Sequence, residues 1–523
     1  MPRSDVEAAS RLGWGTGALE LGFSWSPSTP VVLDAWGLAD EGGRDTGRDA
    51  VPGTRPWGTT QPLVEALVEG MGRSWNNTRL SHTALGARLR HVSHGMADEG
   101  GTRVLTLVQE SQSPHMRVTT VLRSAEGGSA VQAVTSLESL SGEAVRLNAL
   151  SSLALGCLVA PGSGEEDLEL VRGRSAQLAE NRWWGSLLSG PGGLADVHTH
   201  LHRNQSARGS VEATGTSTWT TAADLPAGVL HDTRSGRALC WQVEHDGDWH
   251  WEVDAIREGG DALALVLGGP DDLHHSAVRV LAPGEVFDSV PVSVSFSALG
   301  VEGAVAAMTH HRRWLRSRHV HAGIPVVYND YMNTLDGDPS EEVDLSLARA
   351  AAEVGAEVFC VDAGWYADSG VDWWASVGDW ELSRQRFPSG LSALVGQVRD
   401  LGMRPGIWME PEVVGVSSVA AGRLPDSAFL SRGGVRVREQ DRYFLDLRDP
   451  AAREHLDRAV DALVDAGVEY FKFDYNVTPG AGSDAGGTSP GAGLLDHGRA
   501  HLDWYDALRR RHPRVVLESC SSG

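Results

Sequence analysis

The feature that most constrains this chain is a change of rhythm near residue 320. Beyond it, short apolar runs alternate with amphipathic stretches of helical length. Strands are predicted over 324–328, 357–361, 403–409, 469–473 and 514–517, and helices over 341–354, 391–401, 451–466 and 497–511. Such alternation builds parallel sheets, because a long crossover is needed to start the next strand in the same direction. Polar and aromatic residues collect at the strand ends: Asn329, Asp330, Asp362, Trp365, Glu410, Glu412, Asp474, Asn476 and Glu518. That rim is where a (β/α)8 barrel carries its chemistry. A doubly wound sheet would place a glycine-rich phosphate turn after its first strand, and 329–338 has none. Before residue 320 the apolar runs are short and alternating, as at 104–108, 116–122, 238–243, 262–267 and 290–296, with Gly, Ser, Asp and Pro between them. One amphipathic stretch, 303–316, leads to the boundary.

The expected fold class is therefore multidomain, β plus α/β. A β-sandwich domain occupies 1–320, and 321–523 carries the first five strands of a (β/α)8 TIM barrel. The chain stops just after the fifth predicted strand, so the rest of the barrel and any C-terminal domain are expected to be absent.

Charge and composition narrow the partners. The formal net charge is −24, which disfavours nucleic acid and anionic membranes. No apolar run approaches the ~18 residues of a membrane helix, and the N-terminus lacks the apolar core of a signal peptide. The four cysteines, at 157, 240, 360 and 520, form no metal-type spacing or disulfide framework. A cytoplasmic protein is expected.

Of 45 basic residues only Lys472 is lysine, which suggests a position where the planar fork of arginine will not serve. In Phe471-Lys-Phe-Asp-Tyr-Asn476, Lys472 and Asp474 are two apart and point to the same side of a strand. A carboxylate in such a place can attack an anomeric carbon, or the two can form a structural ion pair. Trp365, Trp373, Trp374, Trp380 and Trp408 are five of the chain's 18 tryptophans. Indole faces beside carboxylates suit sugars, although tryptophans also pack cores. Glu410 and Glu412 either bind substrate or pair with arginines, and Asp449 before Pro450 reads as a helix cap. Asp196-Val-His198-Thr-His200 matches the metal-binding start of an amidohydrolase barrel. Strand–helix alternation is missing after it, no lysine is near it, and a metal-dependent amidohydrolase is disfavoured.

Taken in order, Val327-Tyr-Asn-Asp-Tyr-Met-Asn333, Asp362-Ala-Gly-Trp365, Gly378-Asp-Trp380, Phe387-Pro-Ser-Gly390, Gly406-Ile-Trp408-Met-Glu-Pro-Glu412, Lys472-Phe-Asp474-Tyr-Asn476 and Cys520-Ser-Ser-Gly523 resemble the family 36 glycoside hydrolases, the clan D α-galactosidases. The resemblance implies an N-terminal β-supersandwich, a (β/α)8 barrel and a small C-terminal β-domain. It implies a retaining, exo-acting α-galactosidase that releases terminal non-reducing α-D-galactosyl residues from oligosaccharides or glycosides, without metal or organic cofactor. By position, Asp474 resembles the catalytic nucleophile and Lys472 the lysine beside it that contacts sugar hydroxyls. Asp362 resembles the carboxylate that holds the hydroxyls at C4 and C6, and Trp408 a pocket-wall tryptophan. Trp365 and Asn476 fall in substrate-binding motifs, Cys520 and Gly523 in the turn near the C2 substituent. Tyr331 stands where the family has tryptophan, and Arg442 aligns with a substrate-binding arginine. Ala363 departs from the common Asp-Asp-Gly-Trp pattern, which leaves α-N-acetylgalactosaminidase activity open as an alternative. The acid/base aspartate of the family follows a sixth strand and has no counterpart here. The chain as given is therefore expected to be inactive, and a catalytically inactive carbohydrate-binding homologue is a further alternative. A homo-oligomer is left open for the full-length protein.

Overall fold

The computed structural model describes residues 9–39, 61–73, 78–156, 158–160, 162–194, 209–255, 263–317 and 323–520. Gly523 and the Asp196, His198, His200 motif lie outside these residues. The chain divides into two compact units, Met1–Arg318 and His319–Ser522.

The first unit is built on a ten-stranded and a six-stranded sheet, with a separate three-stranded one. Thr102–Gln112 and His115–Ala125 pair antiparallel in the larger sheet, and buried and half-buried side chains alternate along both. Such alternation marks strands that pack on one face only. Trp249–Ala255 and Leu263–Gly268 of the smaller sheet are buried along their whole length. Trp241 of the larger sheet meets Trp251 of the smaller edge-on, centroids 5.3 Å apart, so that large aromatic faces fill the layer between them. The helix Gly300–Ser317 lays Ala304, Met308 and His311 on the larger sheet.

The second unit holds five parallel strands: Val327–Asn329, Val358–Val361, Arg404–Met409, Tyr470–Phe473 and Val516–Ser519. Their spatial order is their sequence order. A doubly wound sheet reverses order at a switch point, and a barrel does not. The crossovers run through Glu341–Glu353, Leu391–Asp400, Pro450–Asp465 and Pro490–Arg511. The expected fold class, a β-rich domain followed by a partial (β/α)8 barrel, is the one observed.

Several boundaries differ from the sequence expectation: the fifth strand, for one, is Val516–Ser519 and not 514–517. The first strand begins at Val327, and the Ile324 and Val326 side chains before it are exposed. The last helix begins at Pro490, not 497, with Ser489 at its N-cap. Gly491 and Gly493 lower helix propensity and hid that start. Gly493 is there for close approach: a Cβ would collide with the carbonyl oxygen of Ser483. The Asp449 cap forms as expected, its carboxylate accepting from the Ala451 N–H at 2.8 Å.

A carboxyl pair ties the first strand to the first helix. Asp330, one residue past the strand, and Asp344, in the helix, are both buried. Burial raises both pKa values; the charge of Asp344 raises Asp330 further, while the hydrogen bond from Asp330 partly relieves Asp344. Both carboxyls are thus held towards the protonated form as a pair, while Asp330 Oδ1 accepts from the Asp362 N–H at 2.7 Å. A group whose folded pKa is raised contributes stability below its unfolded pKa and loses it as pH rises through the folded value. Asp330→Asn keeps one acceptor and one donor without the titration. Its stability relative to the parent in urea melts should improve as the pH rises from 5 to 8, by at most about 1.4 kcal/mol per pH unit. An equal difference at both pH values would show that no proton is shared.

Candidate active site

The site grows from side chains at the C-terminal ends of the second, third and fourth parallel strands. Lys472 and Asp474, two apart, leave the fourth strand on one side, and Trp408 of the third strand is in register with Lys472. Lys472 Nζ reaches Asp362 Oδ2, just past the second strand, at 2.7 Å. Asn329 Nδ2 donates to the same oxygen at 2.5 Å, and the Ala363 N–H donates to Asp362 Oδ1 at 2.8 Å. Burial alone lowers a lysine pKa, but the charge and hydrogen bond of Asp362 outweigh it, and Lys472 stands above the ordinary lysine value. The ammonium is fully charged at neutral pH.

Asp474 is held by N–H groups from separate directions. Trp408 Nε1 donates to Oδ2 at 3.0 Å, Asn476 Nδ2 to the same oxygen at 2.9 Å, and the Tyr475 N–H to Oδ1 at 3.0 Å. These contacts fix the plane of the carboxylate. Cys520 lies against it: its N–H donates to Phe473 O at 2.7 Å, and burial followed by the charge of Asp474 pushes the thiol up to about 12. Burial, then the charges of Asp362, Asp336 and Asp474, raise the Tyr331 phenol pKa. The ring meets Trp373 edge-on at 6.1 Å.

Behind this layer stands a buried ion pair that the sequence did not specify. The chain after the third strand folds into a small antiparallel sheet of Val413–Gly415, Arg438–Glu439 and Arg442–Phe444. It delivers Arg442 Nη1 to Glu410 Oε2, with both side chains fully buried. Burial pushes Glu410 up to about 7 against the pull of Arg442. Glu410 Oε1 accepts from the Asn476 N–H at 2.8 Å, and the guanidinium lies 3.4 Å from the centroid of Trp374. Arg442, expected as a substrate contact, is thus packed behind the site. It bears on Asp474 through Glu410 and Asn476.

The tryptophans divide between packing and lining. Trp365 is fully buried and donates Nε1 to Trp408 O at 2.9 Å, so it backs Trp408. Trp380, Trp408 and Tyr366 form one packed cluster with ring centroids 5.4 to 6.3 Å apart. Tyr366, which the sequence did not single out, adjoins Trp365 in the same motif. In Gly378-Asp-Trp380 the carboxylate of Asp379 accepts the N–H groups of Val419 and Ala420, each at 2.8 Å, and is a local tie. Glu518 accepts from the Tyr470 hydroxyl on the fifth strand side. Among the described residues, then, Asp362, Lys472, Asp474, Asn476, Trp408, Cys520 and Tyr331 come together, and Trp365 and Arg442 support them from behind.

Glu412, His497 and His501 bring ligand atoms within 4.8 Å of one another nearby. His497 Nδ1 accepts from the Leu447 N–H at 3.3 Å, so a neutral ring carries its proton on the nitrogen facing Glu412. A cation there would have to displace that proton onto a nitrogen already taking one. This donor set does not suit a metal.

A family model described as Melibiase matches residues 286–523. The bifunctional α-galactosidase/sucrose kinase AgaSK of Mediterraneibacter gnavus is 30% identical over 304 residues, 57% of this chain and 31% of that protein. α-Galactosidase AgaA of Geobacillus stearothermophilus is 30% identical over 303 residues, 56% of this chain and 40% of that protein. This chain spans less than half the length of either relative. The crystal structure of the GH36 α-galactosidase AgaA from Geobacillus stearothermophilus superposes with a TM-score of 0.79 at 19% identity, covering 98% of this chain and 72% of that one. Variants of that enzyme have been solved with stachyose and with raffinose. The matched model and the sequence relatives agree that residues 286–523 are similar to the melibiases and α-galactosidases, and the chain shares the fold of the GH36 enzyme.

Proposed function

We propose that this chain carries the nucleophile and galactose-binding half of a retaining, exo-acting α-galactosidase. The observation that supports it best is the clamped carboxylate of Asp474 beside the Lys472–Asp362 pair, at the rim of the parallel strands. In the proposed reaction an Asp474 oxygen attacks the anomeric carbon. The C–O bond to the aglycone breaks, and an acid protonates the departing oxygen. Water then cleaves the glycosyl ester, with the same group acting as base, and the anomeric configuration is retained. No residue of the described strands is assigned to that acid/base role.

The structure supports a division of labour. Trp408 and Asn476 orient Asp474, and Glu410 with Arg442 holds the Asn476 backbone. One ammonium donor of Lys472 is spent on Asp362, which leaves two for sugar hydroxyls. Tyr331 and Cys520 stand beside the two acids, where they would bound the ring. The substrates named for AgaA, stachyose and raffinose, make galactose-terminated oligosaccharides the substrate class to test first. Cytoplasmic location is part of the proposal. Cys240, Cys360 and Cys520 are free thiols, and no described helix is long and apolar enough to cross a membrane.

Asp474→Asn in the enzyme should lower kcat on nitrophenyl α-galactoside by about 10³-fold or more with the circular dichroism spectrum unchanged, because an amide keeps the shape and forms no ester. A tenth of the parental kcat would remove Asp474 from the nucleophile role. If nitrophenyl α-N-acetylgalactosaminide is the substrate hydrolysed instead, the galactose assignment falls and the nucleophile stands.

Lys472→Arg keeps the charge and should still lower kcat/KM about tenfold or more, ~1.4 kcal/mol, since the planar fork cannot meet Asp362 and two hydroxyls from one strand position. Steady-state kinetics at neutral pH would show it, and unchanged values would make Lys472 a structural counter-ion only.

A further inference from the structure

A second cluster of ligand-type side chains lies in the first unit, on residues that take no part in the sugar site. Strands Ser210–Gly215 and Trp249–Ala255 pair antiparallel with Glu212 opposite Glu252 and Thr214 opposite His250. These four side chains therefore rise from one face. The short helical turn Asp272–His275 brings His274 onto that face, its ring stacked on His250 with centroids 4.3 Å apart and planes 15° apart. Ligand atoms of Glu212, His250 and His274 all lie within 4.8 Å of one another.

The surroundings of the two imidazoles are those of metal ligands. His274 Nδ1 lies 2.8 Å from Asp271 Oδ2, and Asp271 is itself fixed by capping the helical turn, accepting from the His274 N–H at 2.7 Å. His250 Nδ1 lies 2.9 Å from Thr214 Oγ1. The Asp271 carboxylate on His274 Nδ1 selects the tautomer whose Nε2 lone pair points outward, which is how metal-bound histidines are oriented, and the Thr214 hydroxyl, donor or acceptor, matches either tautomer of His250. Glu252 Oε2 lies 3.2 Å from His250 Nε2. His250 and Glu252 are buried, while Glu212 is exposed and His274 is partly open. The site is thus walled on one side and accessible on the other.

We propose that Glu212, His250 and His274 bind a divalent ion of the zinc type. Two imidazoles and a carboxylate favour zinc over magnesium or calcium, which take oxygen shells. Donors on a tetrahedral zinc with bonds of ~2.0–2.1 Å stand about 3.3 Å apart. Rotation of the exposed Glu212 side chain, with a small shift of the His274 ring on its Asp271 tether, closes the present gap. Once bound, the ion ties two strands to the turn at 272–275, segments distant in sequence, and so stabilises the folded unit by mass action.

The test uses the whole chain, stripped with chelator and dialysed against Zn²⁺, with Mg²⁺ in parallel. Elemental analysis should find about one zinc retained per chain and no magnesium, with a rise of several degrees in Tm at saturating zinc. Glu212→Gln and His274→Gln should each weaken zinc binding about tenfold or more and remove the rise, while melting like the parent in chelator. His497→Gln should leave zinc uptake unchanged. Failure of the chain to take up zinc, uptake unaffected in both Glu212→Gln and His274→Gln, or uptake lost in His497→Gln would each overturn the assignment.

Discussion

The barrel end of this molecule is organised by the ion pair between Lys472 and Asp362, which spans the second and fourth strands across the third. Both partners are largely out of water. Leaving either alone would strand a charge in a place that cannot solvate it, at a cost of several kcal/mol. The pair therefore fixes how far apart those strand ends stand and which way each side chain leaves its strand. Asn329 from the first strand joins it through Asp362. Asp474, two residues beyond Lys472, inherits its direction from the same strand pleat.

Around that pair the fold satisfies carboxylates in three different ways, and each leaves a different chemistry. Asp474 receives neutral N–H groups from Trp408, Asn476 and the Tyr475 backbone, which orient it without spending a full positive charge. Glu410 receives a guanidinium at complete burial and is committed to structure. Asp330 is buried beside Asp344, and burial with that neighbouring charge holds it towards the protonated form. A carboxylate intended to form a covalent bond suits the first arrangement, since an arginine on it would compete with the electrophile for the same oxygens.

What the sequence made legible follows from periodicity and what it hid follows from distance. The parallel strands were readable because each is a short apolar run bounded by turn residues. Lys472 and Asp474 were readable because a spacing of two has one meaning on a strand. The expected lining role of Trp365 did not survive, since composition cannot tell an indole that faces a pocket from one that backs its neighbour. The Glu410–Arg442 contact depends on strands of two and three residues, too short to show a period. The Asp330–Asp344 pair and the His250–His274 stack arise where chain segments meet, and neither partner's local sequence announces the other.

The Ala363 substitution can now be weighed by counting lone pairs. A carboxylate offers about four acceptor sites. Asp362 Oδ2 already takes Lys472 and Asn329, and Oδ1 takes the Ala363 N–H. About one site is left for a sugar hydroxyl. The usual family pattern would add a second carboxylate here, whereas Ala363 is apolar and buried. In the proposed pose, then, Asp362 can accept from one hydroxyl, and a second must be met from the donor side by Lys472. Recognition weighted towards a donor is less selective, because a hydroxyl presents two lone pairs and turns its single hydrogen to suit, so an ammonium fixes its orientation less than a carboxylate does. In that pose Ala363 would therefore relax the demand on the configuration of one hydroxyl while leaving the clamp on Asp474 untouched, which would separate the proposed bond cleavage from the choice of sugar.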